Sequence, residues 1–203
     1  MTRTLNSEYM GLPIMTDQQR GYECKTEILD KILSVMEHTT EKHNKVLAVR
    51  VDLRFPKDKH YPNDNKLFSK FTSPFVKDLK RQKLDPYYVA VREQSKEKHQ
   101  HYHLVVFVDG NKVKFPNKVI KAAEKHWGKT VNDDKRGLVE HCTKSRSGEK
   151  QTNFYRLRRN DSDYEEHRTA CFHRCSYLAK VNTKGKTAKR EREVFGSQVP
   201  KKH

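Results

Sequence analysis

Two apolar runs separated by a short polar stretch place the strongest constraint on the fold of this chain. The first run follows Pro86 and reads Tyr-Tyr-Val-Ala-Val-Arg-Glu, and the second spans residues 102–108. Both runs are rich in β-branched and aromatic residues, which favour strands. The polar residues 95–100 are few enough for a hairpin loop, so the two runs are predicted to pair as antiparallel strands.

Helical and strand patterns alternate around this hairpin in a defined order. Apolar residues recur at helical spacing in residues 22–43, 67–79, 117–127 and 161–181. Further strands are predicted at residues 45–56 and 137–142, whereas residues 143–160 are basic and loop-like. The core order is therefore strand, helix, strand, strand, helix, strand, helix. This order predicts the α+β class, with a ferredoxin-like antiparallel sheet and flanking helices.

The composition divides the chain into three parts. Residues 1–45 are expected to be an N-terminal segment and a helix that pack on the core, which spans residues 46–181. Residues 182–203 are rich in Lys and Arg and poor in apolar residues. Such a segment cannot bury enough apolar surface to fold alone, so we expect a disordered basic tail.

The net charge of the chain indicates which kind of molecule it binds. Lys and Arg number 43 against 26 Asp and Glu, which gives a formal net charge of +17. So much positive charge repels itself unless a polyanion neutralises it, so nucleic acid is the expected partner and a membrane surface the second candidate. No apolar run approaches the roughly 20 residues of a spanning helix, and the N-terminus lacks a secretory apolar region. We therefore expect a cytoplasmic protein without a membrane segment, and its four cysteines suit a reducing compartment.

Alternating histidines at the start of the second hairpin strand predict a metal site. Residues i and i+2 of a strand point to the same face, so His101 and His103 are expected side by side, with His99 one pleat earlier. Glu93 ends the partner strand and can lie opposite them. Two imidazoles and a carboxylate suit Mg²⁺, Mn²⁺ or a softer divalent ion. The alternative is a pair of exposed histidines at a strand end.

A second motif lies in the predicted last helix. Tyr177 and Lys180 are three residues apart and would share a helical face. A tyrosine hydroxyl is a poor nucleophile at its free pKa near 10, and a metal-polarised phosphate and a nearby ammonium would make it competent. The alternative is an amphipathic helix in which Tyr177 packs on the sheet.

Taken together, these motifs resemble the HUH endonuclease superfamily, and more closely the inovirus gene-2 family of rolling-circle replication initiators. The resemblance is carried by Tyr-Met-Gly-Leu-Pro (9–13), Arg-Val-Asp-Leu-Arg-Phe-Pro (50–56), Val-Arg-Glu-Gln (91–94), His-Tyr-His-Leu (101–104) and His-Arg-Cys-Ser-Tyr-Leu-Ala-Lys (173–180). It implies an HUH endonuclease fold and metal-dependent nicking of one DNA strand at an origin, through a 5′-phosphotyrosine.

The resemblance also implies roles for individual residues. Tyr177 would be the nucleophile, Lys180 would orient or neutralise the phosphate, and His101, His103 and Glu93 would bind Mg²⁺ or Mn²⁺. Asp52 and Arg54 are candidates for supporting the metal or binding DNA, with a structural salt bridge as the alternative, and His99 is a further candidate for support or for ligation. Expected DNA contacts in the tail are Lys184, Lys186, Lys189 and Arg190. The implied partners are single-stranded or hairpin origin DNA and the helicase and polymerase of a bacterial host cell.

Three other interpretations remain open at this stage. A zinc site would use Cys171, His173 and Cys175 with His141 and Cys142. A non-catalytic protein would present Tyr87, Tyr88 and Tyr102 from the sheet to stack on single-stranded nucleic acid. A single-strand transposase of the same superfamily would share the motifs.

Overall fold

The computed structural model describes residues 2–94, 99–145, 147–181 and 191–200, and its centre is an antiparallel sheet. The strands are β1 (Arg3–Thr4), β2 (Glu8–Tyr9), β3 (Leu12–Pro13), β4 (Cys24–Lys25), β5 (Lys45–Leu53), β6 (Tyr87–Glu93), β7 (His101–Asp109), β8 (Val139–Glu140), β9 (Phe154–Arg158) and β10 (Val194–Gly196). The helices are α1 (Thr26–Lys42), α2 (Lys66–Arg81), α3 (Asn117–Val131) and α4 (Tyr164–Ser176), and a 3₁₀ turn at Tyr177–Ala179 follows α4 directly.

The central sheet has the order β10-β6-β7-β5, and β8 and β9 both pair with the far side of β5. All of these pairs are antiparallel. When β5, β6, β7 and β9 are counted as strands one to four, their spatial order is four, one, three, two. Helix α2 joins the first to the second and α3 lies between the third and fourth, which is the split βαβ arrangement. The predicted α+β class and ferredoxin-like sheet with flanking helices are therefore confirmed.

Helices cover both faces of this sheet. Odd-numbered residues of β5, such as Val49 and Val51, pack in one apolar cluster with α2 and α3. Even-numbered residues, such as Val46 and Ala48, pack in a second cluster with α1 and α4. Every residue of β5 after Lys45 is buried, because a strand covered on both faces has no solvent side. Charged residues within such a strand therefore require an explanation.

Two parts of the predicted core differ in the structure. The fourth strand of the core is β9, inside the segment that the sequence indicated as a loop, and the predicted strand at 137–142 is only the two-residue β8. Strand β9 was missed because it is an edge strand in which arginines alternate with Tyr155 and Leu157, and only Leu157 is fully buried. The predicted last helix ends earlier, at Ser176, and Tyr177 begins a 3₁₀ turn, in which residues three apart also lie on the same side.

The C-terminal region also differs from the sequence expectation in part. Residues 191–200 follow the edge of the sheet, where β10 pairs with residues 89–91 of β6. Lys25 forms a buried ion pair with Glu193 at 2.5 Å, and Phe195 packs on the ring of Phe68. The proposed DNA contacts Lys184, Lys186, Lys189 and Arg190 lie outside the described residues. Within the described ranges, no helix has both the length and the apolar character of a membrane span.

Candidate metal centre and active site

Three potential metal ligands meet where the hairpin of β6 and β7 is closed. The register pairs Glu93 with His101 and Val91 with His103, so the three polar side chains emerge on one face of two neighbouring strands. This is the face that α1 and α4 cover. Glu93 and His103 are almost fully buried, and the side chain of His101 is 13% exposed. The structure thus brings together the three residues that the sequence indicated as ligands.

The geometry of this cluster fits one divalent ion. The Nε2 atom of His103 lies 2.8 Å from Glu93 Oε2, and Nε2 of His101 lies 3.6 Å from Glu93 Oε1. All three ligand atoms lie within 4.8 Å of one another. Donors held at about 2.1 Å from a shared ion are about 3.0–3.4 Å apart at tetrahedral or octahedral angles. A buried Glu-His-His cluster of this kind could bind a metal and would leave coordination positions open.

The electrostatics of the cluster favour an ionised carboxylate. Burial opposes the ionisation of Glu93, but hydrogen bonds from His101 and His103 outweigh it and hold the pKa of Glu93 below its usual range. Burial likewise opposes the charging of His103, while the neighbouring Asp52 and Glu93 raise its pKa above the ordinary value. The cluster therefore favours a positively charged His103 between the ionised carboxylates of Asp52 and Glu93. A bound metal ion would supply that positive charge instead.

Asp52 contacts the cluster from the neighbouring strand. Asp52 pairs with His103 in the register of β5 and β7, and its Oδ1 atom lies 2.7 Å from Nδ1 of His103. The opposite ring nitrogen, Nε2, is the one that faces Glu93. Burial raises the pKa of Asp52. The positive charges of His103 and Arg50 lower it by more, so the pKa of Asp52 lies below its ordinary value. A carboxylate behind a ligating histidine fixes the orientation of the ring and increases its basicity.

Tyr177 and Lys180 reach the cluster from the end of α4. The ring of Tyr177 stands edge-on to that of His103, with 5.3 Å between centroids. The Nζ atom of Lys180 lies 5.0 Å from the Tyr177 ring, although Lys180 is already extended beyond the 3₁₀ turn and bridges to Cys24. Burial is the largest cause of the lowered pKa of Lys180. The 3₁₀ turn therefore keeps the pair on one side, and the docking of α4 on the sheet places both residues beside the cluster.

Two predicted supporting residues are not in the cluster. The His99 ring packs against Phe55 and Tyr61, and its Nε2 atom is 2.9 Å from the carbonyl oxygen of Lys59. Arg54 follows the end of β5 with an exposed side chain, which makes no hydrogen bond or ion pair with the described residues. Of the three candidate supporting residues, Asp52 is thus the one that contacts the cluster.

The cysteines and histidines of the alternative zinc site do not come together as a metal-binding group in the described part of the chain. Cys171 and Cys175 are buried in the apolar cluster beneath α4, whereas His141 is paired with Glu124 of α3 at 2.9 Å. Among the described residues, the group that could hold a metal is Glu93, His101 and His103. Tyr102 cannot stack on a base, because it is fully buried and already stacked on Phe68 at 4.2 Å.

Arg50 is a site residue that the sequence reasoning did not select. Its guanidinium carbon lies 4.4 Å from the ring centroid of Tyr177, and its Nη2 atom lies 3.5 Å from Asp52 Oδ1. The signal was present in the sequence, because Arg50 and Asp52 are the charged positions within an otherwise apolar run that follows Lys45. Only the structure shows that this run is covered on both faces.

Comparisons with known proteins place the chain in a family. No curated protein matches it. The structure is similar to the catalytic domain of the adeno-associated virus type 5 Rep protein, with a TM-score of 0.37 and 12% identity over 62% of this chain and 96% of that one. A similarity of this size does not establish the architecture, which rests on the sheet order described above. The finer resemblance to inovirus gene-2 proteins remains an expectation. Residues 4–198 match the YagK/YfjJ C-terminal domain, and the chain therefore belongs to the YagK/YfjJ C-terminal domain family.

Proposed function

We propose that the protein is a metal-dependent endonuclease of the HUH type, which nicks single-stranded DNA through Tyr177 and so initiates rolling-circle replication. The observation that carries the proposal is the position of the Tyr177 ring, 5.3 Å from the ring of His103 in the Glu-His-His cluster. The proposed nucleophile therefore lies beside the candidate metal site and two cations. The cations are Arg50, 4.4 Å from the centroid of the Tyr177 ring, and Lys180, 5.0 Å from it.

The reaction follows from the chemistry of these groups. A divalent ion, Mg²⁺ or Mn²⁺, held by His101, His103 and Glu93 would supply positive charge to the scissile phosphate. The phenol oxygen of Tyr177 attacks phosphorus and its proton leaves to solvent. The bond from phosphorus to the 3′ oxygen breaks, and that oxygen takes a proton from water. The products are a 5′-phosphotyrosine and a strand with a free 3′ hydroxyl.

Lys180 and Asp52 serve this reaction in different ways. The Lys180 ammonium is half-buried beside the Tyr177 ring, where it neutralises the approaching phosphate. Asp52 holds the ring of His103 through Nδ1, so that Nε2 stays directed at the metal position. Two neighbouring cations and an oriented ligand set favour a phosphate over a neutral substrate.

The partners of the reaction follow from its products. A 3′ hydroxyl is a primer, so a polymerase would extend it, and a helicase would separate the strands, both from the host cell. The substrate is single-stranded or hairpin origin DNA in a bacterial cytoplasm. Lys184, Lys186, Lys189 and Arg190 would contact its phosphates without selecting the sequence, because phosphate contacts carry no base information.

The proposal is tested by following each end of a cleaved strand. A random-sequence pool of single strands labelled at the 3′ end is incubated with protein and Mn²⁺, and run on a denaturing gel. We expect the 3′ label to travel with the protein, because the 5′ phosphate of that fragment joins Tyr177. A 5′ label should instead leave on a fragment that a polymerase can extend. Tyr177→Phe should abolish the adduct but keep DNA binding.

Two other tyrosines are matched controls for this experiment. Tyr164 begins α4, about 20 Å of helix away from its C-terminal end. Tyr155 lies half-buried in β9, and burial raises its pKa to about 12. Tyr164→Phe and Tyr155→Phe should both keep the adduct. Loss of the adduct in either one, with Tyr177→Phe active, would disprove the assignment of the nucleophile.

A further inference from the structure

Arg50 is a buried cation with too few partners. It lies in the middle of the central strand β5 and is 5% exposed. Its guanidinium comes within 3.5 Å of an acceptor at Asp52 Oδ1. Two other nitrogens, Nε and Nη1, are buried and have no hydrogen-bond partner among the described residues. An arginine side chain offers five N–H donors, so most of this donor capacity is unused.

Buried donors without acceptors are rare in folded proteins, and each one calls for a cause such as a missing ligand. Among the described residues, the carboxylate that pairs with Arg50 is Asp52. A second buried arginine, Arg174, lies nearby, and its Nε atom also lacks a partner. Burial and the charge of Arg50 both lower the pKa of Arg174.

The unused donors lie beside the proposed nucleophile. The Arg50 guanidinium carbon is 4.4 Å from the centroid of the Tyr177 ring, so the ring covers it from solvent. A phosphate that becomes bonded to the Tyr177 oxygen is attached to this same ring. Such a phosphate is carried by the side chain that Arg50 contacts, so its contact with the guanidinium requires a movement of that side chain and not an open channel to Arg50.

We propose that Arg50 is a further catalytic residue, whose unused N–H donors bind a non-bridging oxygen of the phosphate that Tyr177 attacks. The inference rests on the proposed function. Arg50 keeps all its protons and donates hydrogen bonds, while the bond from the Tyr177 oxygen to phosphorus forms and the bond to the 3′ oxygen breaks. A planar guanidinium can hold two phosphate oxygens at once, which a lysine ammonium cannot do with the same geometry.

The test compares Arg50→Met and Arg50→Lys with the wild type at saturating DNA and Mn²⁺. We expect Arg50→Met to slow adduct formation by about 100-fold or more, as loss of a transition-state donor does in other enzymes. Arg50→Lys keeps the positive charge but loses the planar guanidinium, so adduct formation should slow less, by about tenfold. Strand affinity should stay within about threefold of wild type, because Arg50 is buried and is not an exposed DNA contact. Saturating Mn²⁺ keeps the comparison of rates free of any change in Mn²⁺ affinity that acts through Asp52.

A modified strand separates a direct contact from a structural role. Once the nick position is known, one non-bridging oxygen of that phosphate is replaced by methyl, in each of its two configurations. For one configuration, the penalty of Arg50→Met should shrink to within about threefold, because the oxygen that Arg50 binds is already missing. An equal penalty with phosphate and both methylphosphonates would overturn the proposal. If Arg50→Met does not fold, the same comparison with Arg50→Lys decides.

Arg92→Met is the control for general destabilisation. Arg92 is also a fully buried arginine, and its Nε atom likewise has no partner among the described residues, but its two terminal nitrogens bond to Asn63 and Asn65 on the side of the sheet that faces α2. Its replacement should lower stability and leave the rate per folded molecule unchanged. No adduct in the wild type would instead refute the proposed function, whereas a wild-type rate in Arg50→Met would refute the role of Arg50 alone.

Discussion

At the scale of single residues, the cluster makes a graded prediction about metal binding. His101→Ala and His103→Ala should each abolish cleavage, and Glu93→Ala should weaken Mn²⁺ binding strongly, because each removes one of three ligand atoms. Asp52→Asn should weaken Mn²⁺ binding by about 10–100-fold, the usual effect of losing a carboxylate behind a ligating histidine. Isothermal titration with Mn²⁺ measures the loss of metal affinity in Glu93→Ala and in Asp52→Asn. A chelator should stop cleavage by the native protein.

Two matched residues test whether these effects are specific. Asp109 is a buried aspartate at the opposite end of β7, so Asp109→Asn should leave Mn²⁺ affinity unchanged. His99→Ala should also keep Mn²⁺ affinity, since the His99 ring packs with Phe55 and Tyr61. Full cleavage by His103→Ala in the presence of chelator would contradict the metal site altogether.

Among the elements, the contact between α2 and α3 should contribute a pH-dependent part of the stability of the fold. Asp78 of α2 lies 2.7 Å from Nε2 of His126 of α3. That hydrogen bond is the largest cause that lowers the pKa of Asp78 from 3.8 to about 2. A lowered carboxyl pKa stabilises the fold above the unfolded value, and this stabilisation is lost as the pH falls from about 4 towards 2.

The measurement is urea unfolding of the wild type and of Asp78→Asn between pH 6 and pH 2. The wild type should be more stable by about 1–2 kcal/mol above pH 4, and this difference should shrink towards pH 2. Asp161, in an exposed pair with Arg158, is the control, and Asp161→Asn should cost less than about 0.5 kcal/mol. If the stability difference between the wild type and Asp78→Asn grew as the pH fell, the prediction that the ionised Asp78 stabilises the fold would be wrong.

At the scale of the whole molecule, the basic segment should control the salt dependence of DNA binding. Replacing Lys184, Lys186, Lys189 and Arg190 with Gln removes four of the charges behind the net +17. Each neutralised phosphate on a single strand contributes about 0.7 to the slope of log K against log salt. We therefore expect weaker binding to all sequences, a slope reduced by up to about 3, and an unchanged nick position.

The architecture decides how this experiment is designed. Cutting the chain at residue 182 would also delete β10 and the buried pair of Lys25 with Glu193. Truncation would thus mix a loss of charge with a loss of folded structure, whereas substitution changes charge alone. Equal slopes before and after substitution would indicate a segment that makes no phosphate contacts. A shifted nick would indicate that it reads sequence.

The hairpin and the grouping of its polar residues follow from the amino-acid sequence alone. A strand repeats every two residues, so His101 and His103 had to share a face, and a short connection had to bring Glu93 opposite them. These relations are local, because they depend on the strand period and on pairing between neighbouring segments. The helical patterns fixed the α+β class for the same reason.

The residues that surround the cluster, by contrast, are brought there by the packing of distant segments. Asp52 and Arg50 lie about fifty residues before the histidines and reach them because β5 pairs with β7. Tyr177 reaches His103 because α4 docks beside α1 on the sheet, although the helix ends one residue earlier. Strands β9 and β10 carry weak apolar patterns, and sheet pairing is what orders them. Docking and edge pairing depend on burial summed over the whole core, which no short window of sequence contains.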